Sequence, residues 1–217
     1  MKTLNQYIKE KLIINKDYKD YNDDKIVVKT FNELRKIIED RYDKFGAGTK
    51  QDPIDFNDID VSNLNSFSDN DDNGLFEKTK FKYIDISDWN VSSVTNMLSM
   101  FYRCNELKSV GDISYWDVSN VTDMSYMFAW CANLNQDISR WIVSRVTDMS
   151  YMFYNCVSFN QDISEWDVSK VIDMNDMFYK CESFNQDLSK WNVSNVRNND
   201  YIFMNCPIKE EYKPKFK

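Results

Sequence analysis

The chain of 217 residues contains no histidine, only 4 glycines and only 3 prolines. Without histidine it lacks the side chain that most often acts as a general base near neutral pH. The sequence also has no glycine-rich phosphate loop and no nucleophile elbow. We therefore expect a protein that is not an enzyme and that uses no cofactor.

Long apolar runs and clusters of basic residues are missing as well. No stretch approaches the roughly 18 apolar residues of a membrane-spanning helix, and charged residues interrupt the N-terminal segment where a secretory signal would lie. Residues 56–206 carry 22 acidic and 11 basic side chains, which disfavours binding to phosphate backbones. We expect no nucleic-acid partner, no membrane span, and a cytoplasmic or virion-associated location rather than Sec export.

What the sequence does contain is a repeat. The five cysteines are separated by 27, 25, 25 and 25 residues, and five of the six tryptophans follow the same steps. A fixed period of this length is typical of proteins in which one coil per repeat stacks on the next. The repeated positions are Trp89, Trp116, Trp141, Trp166, Trp191, Cys104, Cys131, Cys156, Cys181 and Cys206.

Within one repeat the apolar spacing changes from strand-like to helix-like. Trp166 and Val168 alternate with polar residues, as in a strand. Val171, Met174 and Met177 recur every three residues, as on one face of a short helix or in a run of 3-10 turns. The sequence therefore predicts an α/β solenoid in which short parallel strands and short helical segments stack. The Met and aromatic stripe is expected to be core rather than a cofactor pocket or copper site.

The repeat boundaries divide the chain into three parts. The pattern Phe31, Leu34, Ile38 predicts an amphipathic helix with Thr30 as its cap and Glu33 completing a capping box. A second helix is expected in the segment TLNQYIKEKLI. The predicted parts are an N-terminal helical cap (1–55), a repeat solenoid (56–206, with a degenerate first repeat at 56–88, regular repeats at 89–190 and a worn last repeat at 191–206) and a C-terminal tail (207–217).

Three sets of residues could bind metals, and each has a structural alternative. One cysteine per repeat predicts a buried column of free thiols rather than disulfides or zinc, since no Cys-x2-Cys pair exists. The acidic loop at 66–74 suggests calcium but lacks the EF-hand spacing. The Asn-Gln-Asp triplets ending at Asp137, Asp162 and Asp187 either bind cations or sugars or hydrogen-bond the adjacent turn, and we favour the second interpretation.

The repeated pattern W-x-V-S-x-V-T-x-M-x-x-M-F-x-x-C-x-x-F-N-Q-D-I-S, found within residues 116–190, resembles that of the BspA-like leucine-rich-repeat family. The resemblance covers about residues 56–206. It implies a leucine-rich-repeat-like stack with an N-terminal cap, and a surface-adhesion or partner-binding role without enzymatic activity. Val171 departs from the standard leucine-rich motif, which has asparagine at this position.

The residues beside the repeated Trp and Val are the candidate binding face. Solenoids bind partners through such a face, whose solvent-facing positions are free to vary. We expect a non-catalytic protein-interaction module that binds a protein partner there, with Tyr115 and Ile142 as the better anchors. The candidate residues are Asp88, Asn90, Tyr115, Asp117, Arg140, Ile142, Glu165, Asp167, Lys190 and Asn192.

Two alternative functions remain open. The chain could be a structural building block of a virion or cell-surface assembly, and it would then self-assemble through Tyr126, Tyr151 and Tyr154. It could also be a surface adhesin that binds carbohydrate through exposed tyrosines and the aspartate row.

Overall fold

The computed structural model describes residues 25–216, and its regular elements lie near the two ends of that range. The predicted helix in TLNQYIKEKLI lies outside the described residues. Two parallel strand pairs are formed, one between Ile26–Val27 and Ile59–Asp60 and the other between Ile54–Asp55 and Ile84–Asp85. Strands on the two sides of the predicted boundary at residue 55 therefore pair with each other. The elements are β1 (Ile26–Val27), α1 (Phe31–Phe45), β2 (Ile54–Asp55), β3 (Ile59–Asp60), β4 (Ile84–Asp85) and a 3-10 turn (Glu210–Tyr212).

Helix α1 begins where the sequence predicts. The Thr30 hydroxyl accepts a hydrogen bond from the Glu33 amide, and the Glu33 carboxylate accepts one from the Thr30 amide, which completes the capping box. Leu34 and Ile38 are fully buried against the first repeats. No helix within residues 25–216 is long and apolar enough to cross a membrane.

The regular part of the chain contains five repeats: repeat 1 (89–115), repeat 2 (116–140), repeat 3 (141–165), repeat 4 (166–190) and repeat 5 (191–206). All of these residues are described, and none of them lies in a helix or an extended strand. Adjacent repeats are joined by isolated parallel bridges. These bridges connect Asn96, Asp123, Asp148, Asp173 and Asn198 in series.

Within residues 89–206, no helix forms where a short helix or a run of 3-10 turns was predicted, and the hydrogen bonds there span three residues, as in the turn alternative. In repeat 4 the amides of Met177 and Cys181 bond to carbonyls three residues earlier, which makes tight turns. The third residues of these turns, Asp176 and Lys180, have φ values of 53° and 56°. A left-handed residue within each turn interrupts right-handed helix geometry, so an apolar spacing of three here reflects successive turns.

The strand predicted at Trp166 and Val168 likewise contains no bridge; the pairing lies farther along the repeat, at Asp173. Val168 accepts a hydrogen bond from the Val171 amide, so this stretch also enters a turn. The alternation of buried and exposed residues predicted there is nevertheless present. Burial alternates because the backbone is extended locally, while hydrogen bonds between repeats form elsewhere.

Equivalent aromatic residues of successive repeats lie against one another in the core. The rings of Phe101, Phe128 and Phe153 have centroids 5.5 and 5.9 Å apart and are within 8° of parallel. The indoles of Trp89 and Trp116 are 6.4 Å apart and also parallel. Aromatic side chains bury large apolar areas, so these columns contribute much of the stability of each contact between repeats.

Backbone hydrogen bonds reinforce these columns. Four amides of each of repeats 1 to 4 donate to alternate carbonyls of the next repeat. From repeat 3 to repeat 4, Tyr151 donates to Asn175 at 2.8 Å and Phe153 to Met177 at 3.0 Å. The contact between two repeats is thus both apolar and polar. In the turns the amides of one repeat donate to the next repeat, whereas beside the bridges the direction is reversed, as the Ile172 amide donates to the Thr147 carbonyl.

Candidate binding surfaces

The ten candidate binding residues are all exposed. They alternate with buried Trp and Val side chains, so they share one side of the repeat region. We call this set the exposed row. It consists of Asp88, Asn90, Tyr115, Asp117, Arg140, Ile142, Glu165, Asp167, Lys190 and Asn192.

The centre of the exposed row combines apolar and charged groups. The guanidinium carbon of Arg140 lies 4.8 Å from the centroid of the Tyr115 ring, a cation–π distance. Tyr115 is 72% exposed and Ile142 is 62% exposed. Tyrosine and arginine are frequent anchors of protein interfaces, and no side chain contact within residues 25–216 buries either apolar residue here.

Two aspartates of the exposed row are held by serines two residues later. The Asp117 carboxylate accepts hydrogen bonds from the Ser119 hydroxyl and amide at 2.6 and 3.1 Å, and Asp167 accepts from the Ser169 amide at 3.0 Å. These serine hydrogen bonds lower the pKa of both carboxyls. The exposed row therefore carries permanent negative charges at neutral pH.

A second surface, which we call the aromatic row, lies on the turns that follow the bridges. Its residues are half-buried and contact one another across repeats. The rings of Tyr126 and Tyr151 are 4.4 Å apart, and those of Tyr154 and Tyr179 are 4.7 Å apart. The row consists of Tyr102, Tyr126, Trp130, Tyr151, Tyr154 and Tyr179.

Sequence reasoning identified only part of the aromatic row. Tyr126, Tyr151 and Tyr154 were predicted as assembly contacts, but Tyr102, Trp130 and Tyr179 were not. Trp130 contacts Tyr154 with ring centroids 5.6 Å apart. The available signal was that Trp130 is the single tryptophan outside the 25-residue period.

The hydroxyl groups of Tyr126 and Tyr151 stay protonated at neutral pH. Burial, together with the Asp176 carboxylate nearby, raises the pKa of Tyr151 to about 12. Burial likewise raises the pKa of Tyr126. Because the rings cover one another's faces, the row presents ring edges and hydroxyl groups to solvent, a poor arrangement for stacking sugar rings.

The Asn-Gln-Asp triplets connect the repeats. The side-chain oxygen of Asn135 accepts a hydrogen bond from the Asn160 amide at 2.9 Å, and that of Asn160 accepts one from the Asn185 amide at 3.0 Å. Asp137 instead accepts from Ser139 within its own repeat. These bonds are the stacking role that the sequence analysis favoured for the asparagines.

The described part of the chain contains no cluster of metal-binding side chains. Within residues 25–216, no group of three or more Cys, Asp or Glu side chains is arranged to hold a metal ion. In the 66–74 loop, the Asp69 carboxylate accepts hydrogen bonds from the amides of Asp71 and Asn73, both at 2.9 Å. Asp69 thus closes the loop as a turn residue.

The five cysteines are free, as predicted, and Cys206 alone is not fully buried. The Cys156 thiol donates to the Phe128 carbonyl of the preceding repeat at 2.9 Å, and the Cys181 thiol donates to Phe153 in the same way. Burial raises the pKa of both thiols well above the ordinary range. Because the thiolate is the reactive form, these cysteines are structural groups rather than nucleophiles.

Residues 48–110, 70–165 and 105–213 match the family described as Mycoplasma protein of unknown function, DUF285. Together the three matches cover more than half of the chain, including all five repeats. No curated protein matches the chain. No solved structure matches it either.

Proposed function

We propose that this chain, which belongs to the DUF285 family, is a non-catalytic protein-interaction module that binds a partner protein through the exposed row. The proposed architecture is a solenoid of the leucine-rich-repeat type, similar to the BspA-like repeats. Support for it comes from the stacked phenyl and indole rings and from the bridges that join each repeat to the next. Its repeats are built from turns in place of short helices.

The observation that carries the binding proposal is the group formed by Tyr115, Arg140 and Ile142. Tyr115 and Ile142 are the most exposed large apolar residues of their repeats, and the arginine already lies on the tyrosine ring. A rigid aromatic ring, a planar cation and a branched aliphatic chain supply the contacts typical of an interface hot spot. Aspartates around them supply the polar rim.

The test compares the protein with a variant in which Tyr115, Arg140 and Ile142 are all alanine. Both are used as baits in affinity capture with quantitative mass spectrometry, from the cells that express the protein. We expect the proteins enriched by the unchanged bait to be lost from the variant. All three side chains are exposed, so stability should change by less than about 0.5 kcal/mol per substitution.

Ile172→Ser is the matched control, because Ile172 is also an exposed isoleucine but lies outside the exposed row. This variant should capture the same proteins as the unchanged bait. Equal capture by the triple-alanine variant, with folding verified by circular dichroism, would show that the exposed row is not the binding surface.

The aromatic row supports self-assembly as a second candidate function. Its half-buried tyrosines present hydroxyl groups along several repeats, and tyrosine is enriched at protein interfaces. Sedimentation velocity over a wide concentration range tests this function. Self-association that Tyr151→Ala and Tyr154→Ala abolish would support it, and a strict monomer at all concentrations would refute it.

A further inference from the structure

Repeat 5 ends the series of repeats with unused backbone donors. In repeat 4 the amides of Met174, Asp176, Phe178 and Lys180 donate to carbonyls of repeat 5 at 2.8 to 2.9 Å. The equivalent amides of repeat 5 have no acceptor within residues 25–216. We call them the donor edge; they belong to Asn199, Tyr201, Phe203 and Asn205.

Most carbonyls along the donor edge are already occupied, although that of Arg197, equivalent to the Ile172 carbonyl that accepts from repeat 5, has no donor in residues 25–216. The carbonyls of Tyr201 and Phe203 already accept hydrogen bonds from the amides of Met204 and Cys206, three residues later. Those of Asn198, Asp200, Ile202 and Met204 accept from repeat 4. A partner must therefore bring a row of oxygen acceptors to this edge.

The side chains at the donor edge are also uncovered. Tyr201 is 65% exposed and Met204 is 47% exposed. Their counterparts in repeat 3, Tyr151 and Tyr154, are half-buried because the following repeat lies against them. The same positions are thus apolar contact sites wherever a further repeat is present.

The tail contacts repeat 4 and the Phe203 ring of repeat 5, and not the amides of the donor edge. Ile208 and Pro214 are buried, and the Tyr212 carbonyl accepts a hydrogen bond from the Leu188 amide at 2.8 Å. The ammonium group of Lys213 lies 5.9 Å from the centroid of the Phe203 ring. These contacts leave all four amides of the donor edge without an acceptor in residues 25–216.

A second copy of the chain does not fit the donor edge. Two copies related by a twofold axis would bring donors against donors. Head-to-tail contact would need free carbonyls at the other end, but the Arg35 guanidinium occupies those of Leu75 and Glu77 there. The described residues 25–216 therefore offer no matching row of free carbonyls at their other end, and the edge is complementary to another polypeptide.

We propose that the donor edge is a docking site for a peptide segment of another protein that adopts this repeat's turn conformation and presents alternate backbone carbonyls. Main-chain hydrogen bonds to an open edge supply affinity, and side-chain contacts supply specificity. The occupant should place an apolar or aromatic side chain over Met204, as Tyr179 of repeat 4 lies over Tyr154 of repeat 3, and a hydrogen-bonding side chain beside Tyr201, as Asp176 lies beside Tyr151. This site is distinct from the exposed row and does not depend on it.

The probe is a synthetic peptide with the sequence of residues 166–190, acetylated, amidated and labelled with a fluorophore. Its binding is followed by fluorescence anisotropy, and amide hydrogen exchange of the protein is measured by NMR with and without peptide. We expect exchange at Tyr201, Phe203 and Asn205 to slow at least tenfold. Exchange at Tyr151, which is already hydrogen-bonded inside the repeat series, should not change.

Two variants and a control peptide make the test specific. The double variant Tyr201→Asp, Met204→Asp should weaken binding at least tenfold, because it places charges where the occupant packs. Ile142→Asp, on the exposed row, should bind the peptide unchanged. A peptide of the same composition in scrambled order should not slow exchange at the donor edge.

Three results would overturn the proposal. The first is unchanged exchange at the donor edge when the peptide is saturating, and the second is equal protection by the scrambled peptide. The third is protection of these amides by self-association without peptide, since that would make a second copy the occupant. Loss of binding in Ile142→Asp alone would instead point to the exposed row.

Discussion

The two ends of the repeat region close in different ways. At the N-terminal end, Arg35 of helix α1 donates to the carbonyls of Gly74, Leu75 and Glu77 at 2.6, 3.0 and 3.5 Å. At the C-terminal end, the four amides of the donor edge have no acceptor among residues 25–216. A side chain caps one end, whereas the other end exposes backbone amides to which another chain can bind.

The difference follows from the polarity of the contact between repeats. In the turns of repeats 1 to 4 the amides donate to the following repeat, so the turns of the degenerate repeat at 56–88 leave acceptors and those of repeat 5 leave donors. Amides beside the bridges, such as that of Ile172, donate to the preceding repeat instead. A single guanidinium carries five N–H donors and can satisfy several carbonyls at once. No single side chain offers an equivalent row of acceptors, so the donor end needs another backbone or water.

The largest expected effect is on the free energy of unfolding, and it is tested at two phenylalanines of one column. Phe128 is buried between Phe101 and Phe153, whereas Phe203, at the donor end, is half-buried and contacts Phe178 at 5.6 Å. Phe128→Ala should lower the free energy of unfolding by about 3–5 kcal/mol. Phe203→Ala should cost roughly half as much or less, because less apolar area is lost from contact. Urea unfolding measures both, and equal losses would mean that the donor end is covered.

The second effect tests the cap. Arg35→Met keeps most of the apolar stem but leaves the carbonyls of Leu75 and Glu77 without their donor. The expected loss is about 1–3 kcal/mol, the cost of unsatisfied buried polar groups. Lys36→Met changes the neighbouring exposed residue and should have little effect on thermal unfolding. If the two variants unfold at the same temperature, Arg35 does not close the N-terminal end.

A smaller effect compares turn residues inside the repeats and at the donor edge. Lys180 and Asn205 occupy equivalent turn positions, with φ values of 56° and 59°. Glycine removes the steric cost of this conformation, so Lys180→Gly should stabilise the protein by about 0.5–1 kcal/mol. Asn205→Gly should change stability little, since asparagine tolerates left-handed geometry. Destabilisation by Lys180→Gly in urea unfolding would contradict this account.

The smallest effect concerns the bridge column, which has Asn96 and Asn198 at its ends and aspartates between them. Burial raises the pKa of Asp148, and the carboxylates of Asp123 and Asp173 add to the shift. The folded state therefore holds the Asp148 proton more tightly than the unfolded state, so stability falls as pH rises above the ordinary aspartate value of about 3.9.

Asp148→Asn should accordingly stabilise the protein at pH 7 by less than about 1 kcal/mol, given its partial exposure. The gain should disappear below the ordinary aspartate pKa, and urea midpoints at pH 3.5 and pH 7 measure it. Asp117→Asn is the opposite case, because the Ser119 hydrogen bonds lower its pKa and its stabilising contribution is lost as pH falls. A destabilising Asp148→Asn at pH 7 would contradict the sign.

Positions that contact their own equivalents in the next repeat were the most predictable part of this molecule. The period alone indicated that Trp89 and Trp116 would be neighbours, that the cysteines would be buried free thiols, and that the asparagines of the triplets would bond across repeats. A residue that packs against its equivalent in the next repeat tends to be the same in every repeat. The repeats of a single sequence therefore show which positions stack. The capping box at Thr30 and Glu33 could be predicted equally well, because it depends only on hydrogen bonds between residues close in sequence.

The backbone conformation inside each repeat was not predictable in the same way. An apolar residue at every third position is compatible with a short helix or with successive turns, and hydrogen bonds between repeats favour the turns. Arg35 was also missed, because nothing near it in the sequence records that it would contact carbonyls about forty residues away. The aromatic row was found in part, since Trp130 does not follow the period.

By itself, the sequence determined which side chains are buried, where α1 begins and which residues meet their equivalents, because these depend on periodicity and on neighbouring residues. Only the tertiary structure decided that each repeat forms turns with a left-handed residue, that Arg35 closes one end and that, within residues 25–216, the other end is a row of free donors. Those outcomes depend on which backbone groups remain unpaired after all the repeats have been joined, and that is a property of the assembled chain rather than of any one segment.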